Sequence, residues 1–323
     1  MIRRNSGVLL FSPAVVVVLL AGCATKDGPV AEAPPAATPV ASPIEPAAEP
    51  VPESEEKVVS PLEKLASNSR VEKTKPVPEN AKPAGASAPV KPAVEQKKTP
   101  TELAKQAEDK VNWGSSKTSL QEAFALSGEA ADAAPTDSKI ALQHARHALR
   151  LAQTETGIDR PAAVAKEGLA SMKAAGIDGE SNHADAAYYH ASLTGMVMQA
   201  QGLGAAGKLP KLEAEFKRAL GAPGTEQGGP LRAIGMLYLK APPWPTGIGD
   251  IELALENLEK AVQSYGGFPH NHICLARAYA DDGSLEEAEQ SLDRAENLLA
   301  SGNWGALESG WRREIAEIRK LIG

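Results

Sequence analysis

The chain has 323 residues with 34 basic and 41 acidic side chains, a net charge of −7, and 4% aromatic residues. A surface of that sign repels phosphate backbones, so nucleic acid is excluded as an expected partner. The two cysteines are Cys23 and Cys274, and with Cys23 expected to be acylated no disulfide is expected within a mature chain.

Residues 1–22 read as a secretory leader. Arg3 and Arg4 form a short basic region, Gly7 to Leu20 are mostly apolar, and Leu20-Ala21-Gly22-Cys23 has small residues directly before a cysteine. The apolar run is short for a transmembrane span. The segment resembles the leaders of bacterial lipoproteins. That resemblance implies acylation of Cys23, with several chains holding the protein stably on a membrane. It also implies that Ala24, where Asp would retain the protein, directs it to the outer membrane, facing the periplasm.

Residues 23–100 change in composition. Fifteen of the 25 prolines lie between Ala24 and Pro100, interleaved with Ala, Val, Glu and Lys, and no aromatic residue does. Such a stretch cannot build a core and reads as a disordered, extended tether, with one possible helical turn over Ser60–Ser69.

Residues 101–323 hold all four Trp, all five Tyr and three of the four Phe, with 22 basic against 30 acidic side chains. Helical periodicity places a lead-in helix over Thr101–Trp113, then helices over Ser119–Ala134, Ser138–Gln153, Pro161–Ala175, Ala184–Leu203 and Leu209–Leu220. Ala145 follows Ala123 by 22 residues, and Ala187 follows Ala165 by the same interval. Farther on, Ala254, Leu258 and Ala261 recur 34 residues later as Ala288, Leu292 and Ala295. A small-large-small triplet at spacings of four and three lies on one helix face, where antiparallel backbones approach closely. Thirty-four residues is the tetratricopeptide period, and one such helix pair buries its apolar face only against the next. The expectation is therefore an all-α, tetratricopeptide-like solenoid of about ten helices in four to five hairpins, closed by a last helix over Trp304–Ile322.

Gly235 and Tyr238 correspond to Ala276 and Tyr279 at a shift of 41, so seven extra residues lie between the earlier pair of helices. They fall in Lys240–Asp250, which is too rich in Pro and Gly to be helical. Pro242, Pro243 and Pro245 brace this loop, Gly247 and Gly249 permit reversal, and Asp250 stands at the N-cap of a helix over Ile251–Ser264. Trp244 either sits at the tip as an anchor for a ligand or partner, or folds back to plug the junction between repeats.

Side chains suited to chemistry are few. Cys274 reads as a buried thiol without an electropositive neighbour. His144 and His147 share a face but lack a third metal ligand at a recognisable spacing. His270 and His272 flank Asn271 at a helix start and read as caps, and His183 and His190 read as surface or core hydrogen-bonding groups. Glu213-Glu215 and Glu286-Glu287 read as solvated helix faces. Gly228-Gly229 before Pro230 lacks the Gly-Lys-Ser/Thr ending of a phosphate loop and reads as a helix entry. No catalytic residue, metal or cofactor is expected.

The string GGPLRAIGMLYLKAPPWPTGIGD, followed by IELALENLEKAV and NHICLARAYADDG, resembles the T component that accompanies TRAP-type transporters, a family of bacterial lipoproteins with tetratricopeptide-like helices. The resemblance covers about Pro210 to Ala295. Gly235, Tyr238, Pro242, Trp244, Pro245, Gly249, Asp250, Ala254, Ala261 and Asn271 match, while Gly266-Gly267 stands where a proline often ends the second helix. It implies a helical periplasmic protein that associates with a substrate-binding protein, handles hydrophobic ligands and assembles as a homo-oligomer such as a trimer. The candidate binding residues are Trp244, Pro243, Pro245, Tyr238, Arg232 and Asn271, with an apolar pocket or channel expected near Trp244. The rival expectation is a structural adaptor in envelope, secretion or cell-wall assembly.

Overall fold

A computed structural model describes residues 98–177 and 183–323. The leader, Cys23 and the Pro/Ala-rich tether lie outside the described residues. Among the described residues eleven α-helices follow in order: α1 (Pro100–Glu108), α2 (Lys117–Ala133), α3 (Ser138–Ala152), α4 (Asp159–Ala174), α5 (Ala184–Gln201), α6 (Leu209–Ala219), α7 (Gly229–Lys240), α8 (Ile251–Tyr265), α9 (Pro269–Asp282), α10 (Leu285–Ser301) and α11 (Glu308–Ile322). Short 3-10 turns at Gly202–Lys208 and Gly305–Leu307 precede α6 and α11. Among the described residues there is no strand, only an isolated bridge between Pro243 and Gly249.

Each helix packs on the next in sequence, and the odd-numbered helices also touch one another in succession from α1 to α11. The odd helices thus form a continuous row that the even ones flank. The spaced small residues explain this arrangement. Ala123, Ala145, Ala165, Ala187, Ala254, Ala261, Ala276, Ala288 and Ala295 are all 0% exposed, as are Leu258 and Leu292. Gly235 marks a close approach: a Cβ there would lie 2.7 Å from Leu258 Cγ and 3.1 Å from the Ala254 carbonyl, so α7 and α8 pack almost backbone to backbone.

Three of the helix ends that differ from expectation do so for evident local reasons. α1 stops at Glu108 because polar side chains fold the following chain: Ser115 Oγ accepts from Asn112 N (2.8 Å) and donates to the Lys110 carbonyl (2.9 Å), and Asn112 Oδ1 accepts from Gly114 N (2.8 Å). α5 ends at Gln201 because Gly202 has a positive φ of 66°. α11 begins at Glu308 rather than Trp304, whose indole turns back to donate to the Leu298 carbonyl at the end of α10 (3.0 Å).

The row of helices closes on itself. The α1–α2 connection meets the α10–α11 connection, where Ala306 N donates to the Ser115 carbonyl (3.0 Å). Around this contact Trp113 packs on Phe268 (centroids 4.7 Å apart), and Phe268 packs edge-on against Trp304 (5.7 Å) and Trp311 (5.3 Å). The Arg150 guanidinium lies 4.0 Å over the Trp113 ring. Aromatic side chains bury large areas, so gathering four from both ends of the domain favours closure over an open stack.

Candidate functional site

The Pro242–Gly249 loop is held by its own backbone. Gly249 N donates to the Pro242 carbonyl (2.7 Å), Gly247 N and Thr246 Oγ1 to the Pro243 carbonyl (3.1 and 2.9 Å), and Asp250 N to the Tyr238 carbonyl (3.1 Å). A Cβ on Gly249 would lie 2.1 Å from the Ala241 carbonyl, so only glycine fits that crossing. Asp250 caps α8 by accepting from Leu253 N (2.9 Å), as expected. Pro243 and Pro245 are exposed, the Trp244–Pro245 peptide is cis, and Trp244 is 85% exposed. The reading of Trp244 as a junction plug is therefore corrected: the indole projects outward from the braced loop.

The other three candidates face the interior. Tyr238 is buried and donates to Glu213 Oε1 (2.8 Å), tying α7 to α6. Burial and this carboxylate both raise its phenol above its ordinary range. Asn271 is 0% exposed; its Oδ1 accepts from Arg232 Nη1 (2.6 Å), and its Nδ2 donates to the carbonyls of Gln227 (3.0 Å), Tyr265 (2.9 Å) and Ala261 (3.4 Å). Arg232 also donates to the carbonyls of Gln227 (3.3 Å) and Glu226 (3.4 Å) and stacks over Phe268. These groups clamp a turn in which Glu226 and Gln227 have positive φ of 50° and 55°. The Glu226 carboxylate is held in turn by Arg150 (3.1 Å) and by the Tyr189 hydroxyl (2.9 Å). Arg232 and Asn271 thus sit at the opposite end of α7 from Trp244, and the six candidates form no single site.

The readings of His270 and His272 as caps and of Glu215 as solvated also need correction. α9 starts from Phe268 with no side-chain cap. His272 Nε2 instead meets the Gly266 carbonyl (2.9 Å) at the end of α8, and His270 meets Glu314 (3.3 Å) while stacking on Trp311. Burial opposes the charged form of His270, but Cys274 one turn on and Glu314 outweigh it and push it up to about 9. Cys274 is buried, but an electropositive neighbour is present. Glu215 is not solvated: it is 2% exposed and paired with His190 Nδ1 (2.7 Å). His144 is bonded to Ser127 (2.9 Å), and burial pushes it down to about 4. His147 is also pushed down to about 4, by burial and then by Arg146. No three His, Cys, Asp or Glu groups converge on a metal-sized site among the described residues.

One cavity lies away from Trp244. It is an open groove of about 640 Å³ between α1, α3 and the start of α5, with Ala104, Ile140, Leu142 and Tyr189 on its apolar wall and Glu108 and Arg146 among its polar groups. Glu108 accepts from Arg146 and from Gln143 (3.1 Å), and His147 Nε2 lies 3.6 Å away. Burial raises the Glu108 carboxyl, yet Arg146, His147 and Gln143 together outweigh this and leave it below its ordinary value. Sequence reading missed this constellation because its partners stand 35 to 38 residues apart on different helices. The one signal was Arg146 beside the His144 and His147 pair.

No family model matches the chain, and no curated protein matches it.

Proposed function

We propose that this protein is a non-catalytic binding module with a tetratricopeptide-like hairpin fold. In this reading it is tethered to the outer membrane through Cys23 and serves as an accessory to a TRAP-type solute transporter by engaging a periplasmic substrate-binding protein. The observation that carries the reading is Trp244, an 85% exposed indole on a backbone-braced loop. A large apolar side chain that rigid proline and glycine geometry keeps in water gains by entering a partner's pocket and loses little entropy in doing so. The 34-residue register and the paired stacking of the helices support the fold assignment.

The test is site-specific photo-crosslinking in intact envelopes, with the photoreactive residue at position 244 and a control at the exposed Lys166. The expected result is capture of a transporter substrate-binding protein from position 244 alone. Recovery of secretion or cell-wall assembly proteins instead would establish the adaptor role, and absence of any transport component would end the proposal.

A further inference from the structure

The groove between α1, α3 and α5 contains a charged side chain whose hydrogen bonding is incomplete. Arg146 spends Nη2 on Glu108, while its buried Nε has no acceptor among the described residues. One position on, His147 is 1% exposed and neither ring nitrogen has a hydrogen-bond partner among the described residues. Buried guanidinium and imidazole nitrogens are ordinarily satisfied, because leaving one unpaired costs its full desolvation. Arg146 lines the groove whereas His147 does not, so it is the Arg146 guanidinium that points to a missing acceptor.

The surroundings define that acceptor. Ala104, Ile140, Leu142 and Tyr189 supply an apolar wall, and about 640 Å³ is within the usual range for a small-molecule site. The other charged groups are Lys105 and Lys139 against Asp109, Asp137 and Asp185. Two of these acids are already engaged: Asp137 Oδ1 caps α3 by accepting from Lys139 N (2.9 Å) and Ile140 N (3.2 Å), and Asp185 Oδ1 accepts from Ala186 N (2.9 Å). Both keep their negative charge while accepting, so four acids face three bases in the groove and the preference for an anion rests on the Arg146 guanidinium itself. We propose that this groove binds a small monocarboxylate with a short apolar body, whose carboxylate pairs with the Arg146 guanidinium where it lines the groove and whose body lies against Ile140, Leu142 and Tyr189. A planar guanidinium edge and a carboxylate match in geometry, and the charge-assisted pair is stronger than a neutral one. Glu108 occupies the other part of Arg146 and so competes with the incoming acid.

The experiment measures binding by calorimetry on the full chain with three probes sharing one body: 3-phenylpropanoate, 3-phenylpropanamide and 3-phenylpropylamine. The acid should bind saturably and at least about tenfold more tightly than the amide, with the amine weakest. Arg146→Gln should remove that preference. Glu108→Gln should tighten the acid by freeing Arg146, an effect opposite to that of simple structural damage, and melting curves confirm that each variant is folded. Trp244→Ala should leave acid binding unchanged, so this site and the partner-binding role stand or fall separately. Equal binding of acid and amide, preference for the amine, or no saturable binding of the acid by the wild-type chain would each overturn the proposal.

Discussion

The chain enters α7 through the Glu226–Gln227 turn and leaves it through the Pro242–Gly249 loop, and the two connections are held by different means. The entering turn places two non-glycine residues at positive φ, which costs on the order of 1–3 kcal/mol each. Side chains of Arg150, Tyr189, Arg232 and Asn271, from four different helices, hold it in place. The leaving loop uses hydrogen bonds between its own near neighbours and leaves Trp244 in water. A segment held by distant side chains acts as a junction for the whole row of helices. One held by its own backbone can present a side chain outward without involving the core.

The contrast predicts large stability losses at the clamped side and small ones at the loop. Trp311→Ala, which removes the buried ring joining Phe268, Trp304 and His270, should cost about 4 kcal/mol in urea unfolding. Asn271→Ala should cost about 3 kcal/mol, since it strips an acceptor from Arg232 and a donor from three carbonyls. A loss below about 1 kcal/mol would show that the entering turn holds itself.

The pH dependence separates the same regions. His144 and His147 have folded values of about 4 against an ordinary 6.5, so the unfolded chain binds more protons between these limits. Their contribution is full above 6.5 and falls as pH drops toward 4. His270 has the opposite sign: with a folded value of about 9, its contribution is full below 6.5 and is lost as pH rises through 9. Urea midpoints measured across this range should fall on both sides, and His270→Gln should flatten the alkaline limb while leaving the acidic one. The smallest stability effect belongs to Trp244→Ala, expected within about 0.5 kcal/mol of wild type, while partner capture in envelopes is lost. A larger destabilisation would mean that the indole packs on the fold after all.

Helix identity and the buried stripe were legible residue by residue. Ala254, Leu258 and Ala261 and their counterparts 34 positions on are fully buried because each triplet is a property of one helix face. The Pro242–Gly249 loop was legible because its residue types restrict their own backbone. The Glu108–Arg146 pair, the Arg150–Glu226 pair and the burial of Glu215 against His190 were not. An acid on an amphipathic helix looks solvated until a helix far along the chain brings a base against it.

Sequence by itself determined where helices form, which stripe of each is apolar and where proline and glycine interrupt them, because those depend on neighbours within a few residues. Only the tertiary structure decided that the two ends meet around Phe268, that Arg232 and Asn271 turn inward, and that a groove opens beside Arg146. Those outcomes depend on how successive helices rotate against one another, and small rotations summed along the row bring together residues whose separation in the chain carries no periodic signal.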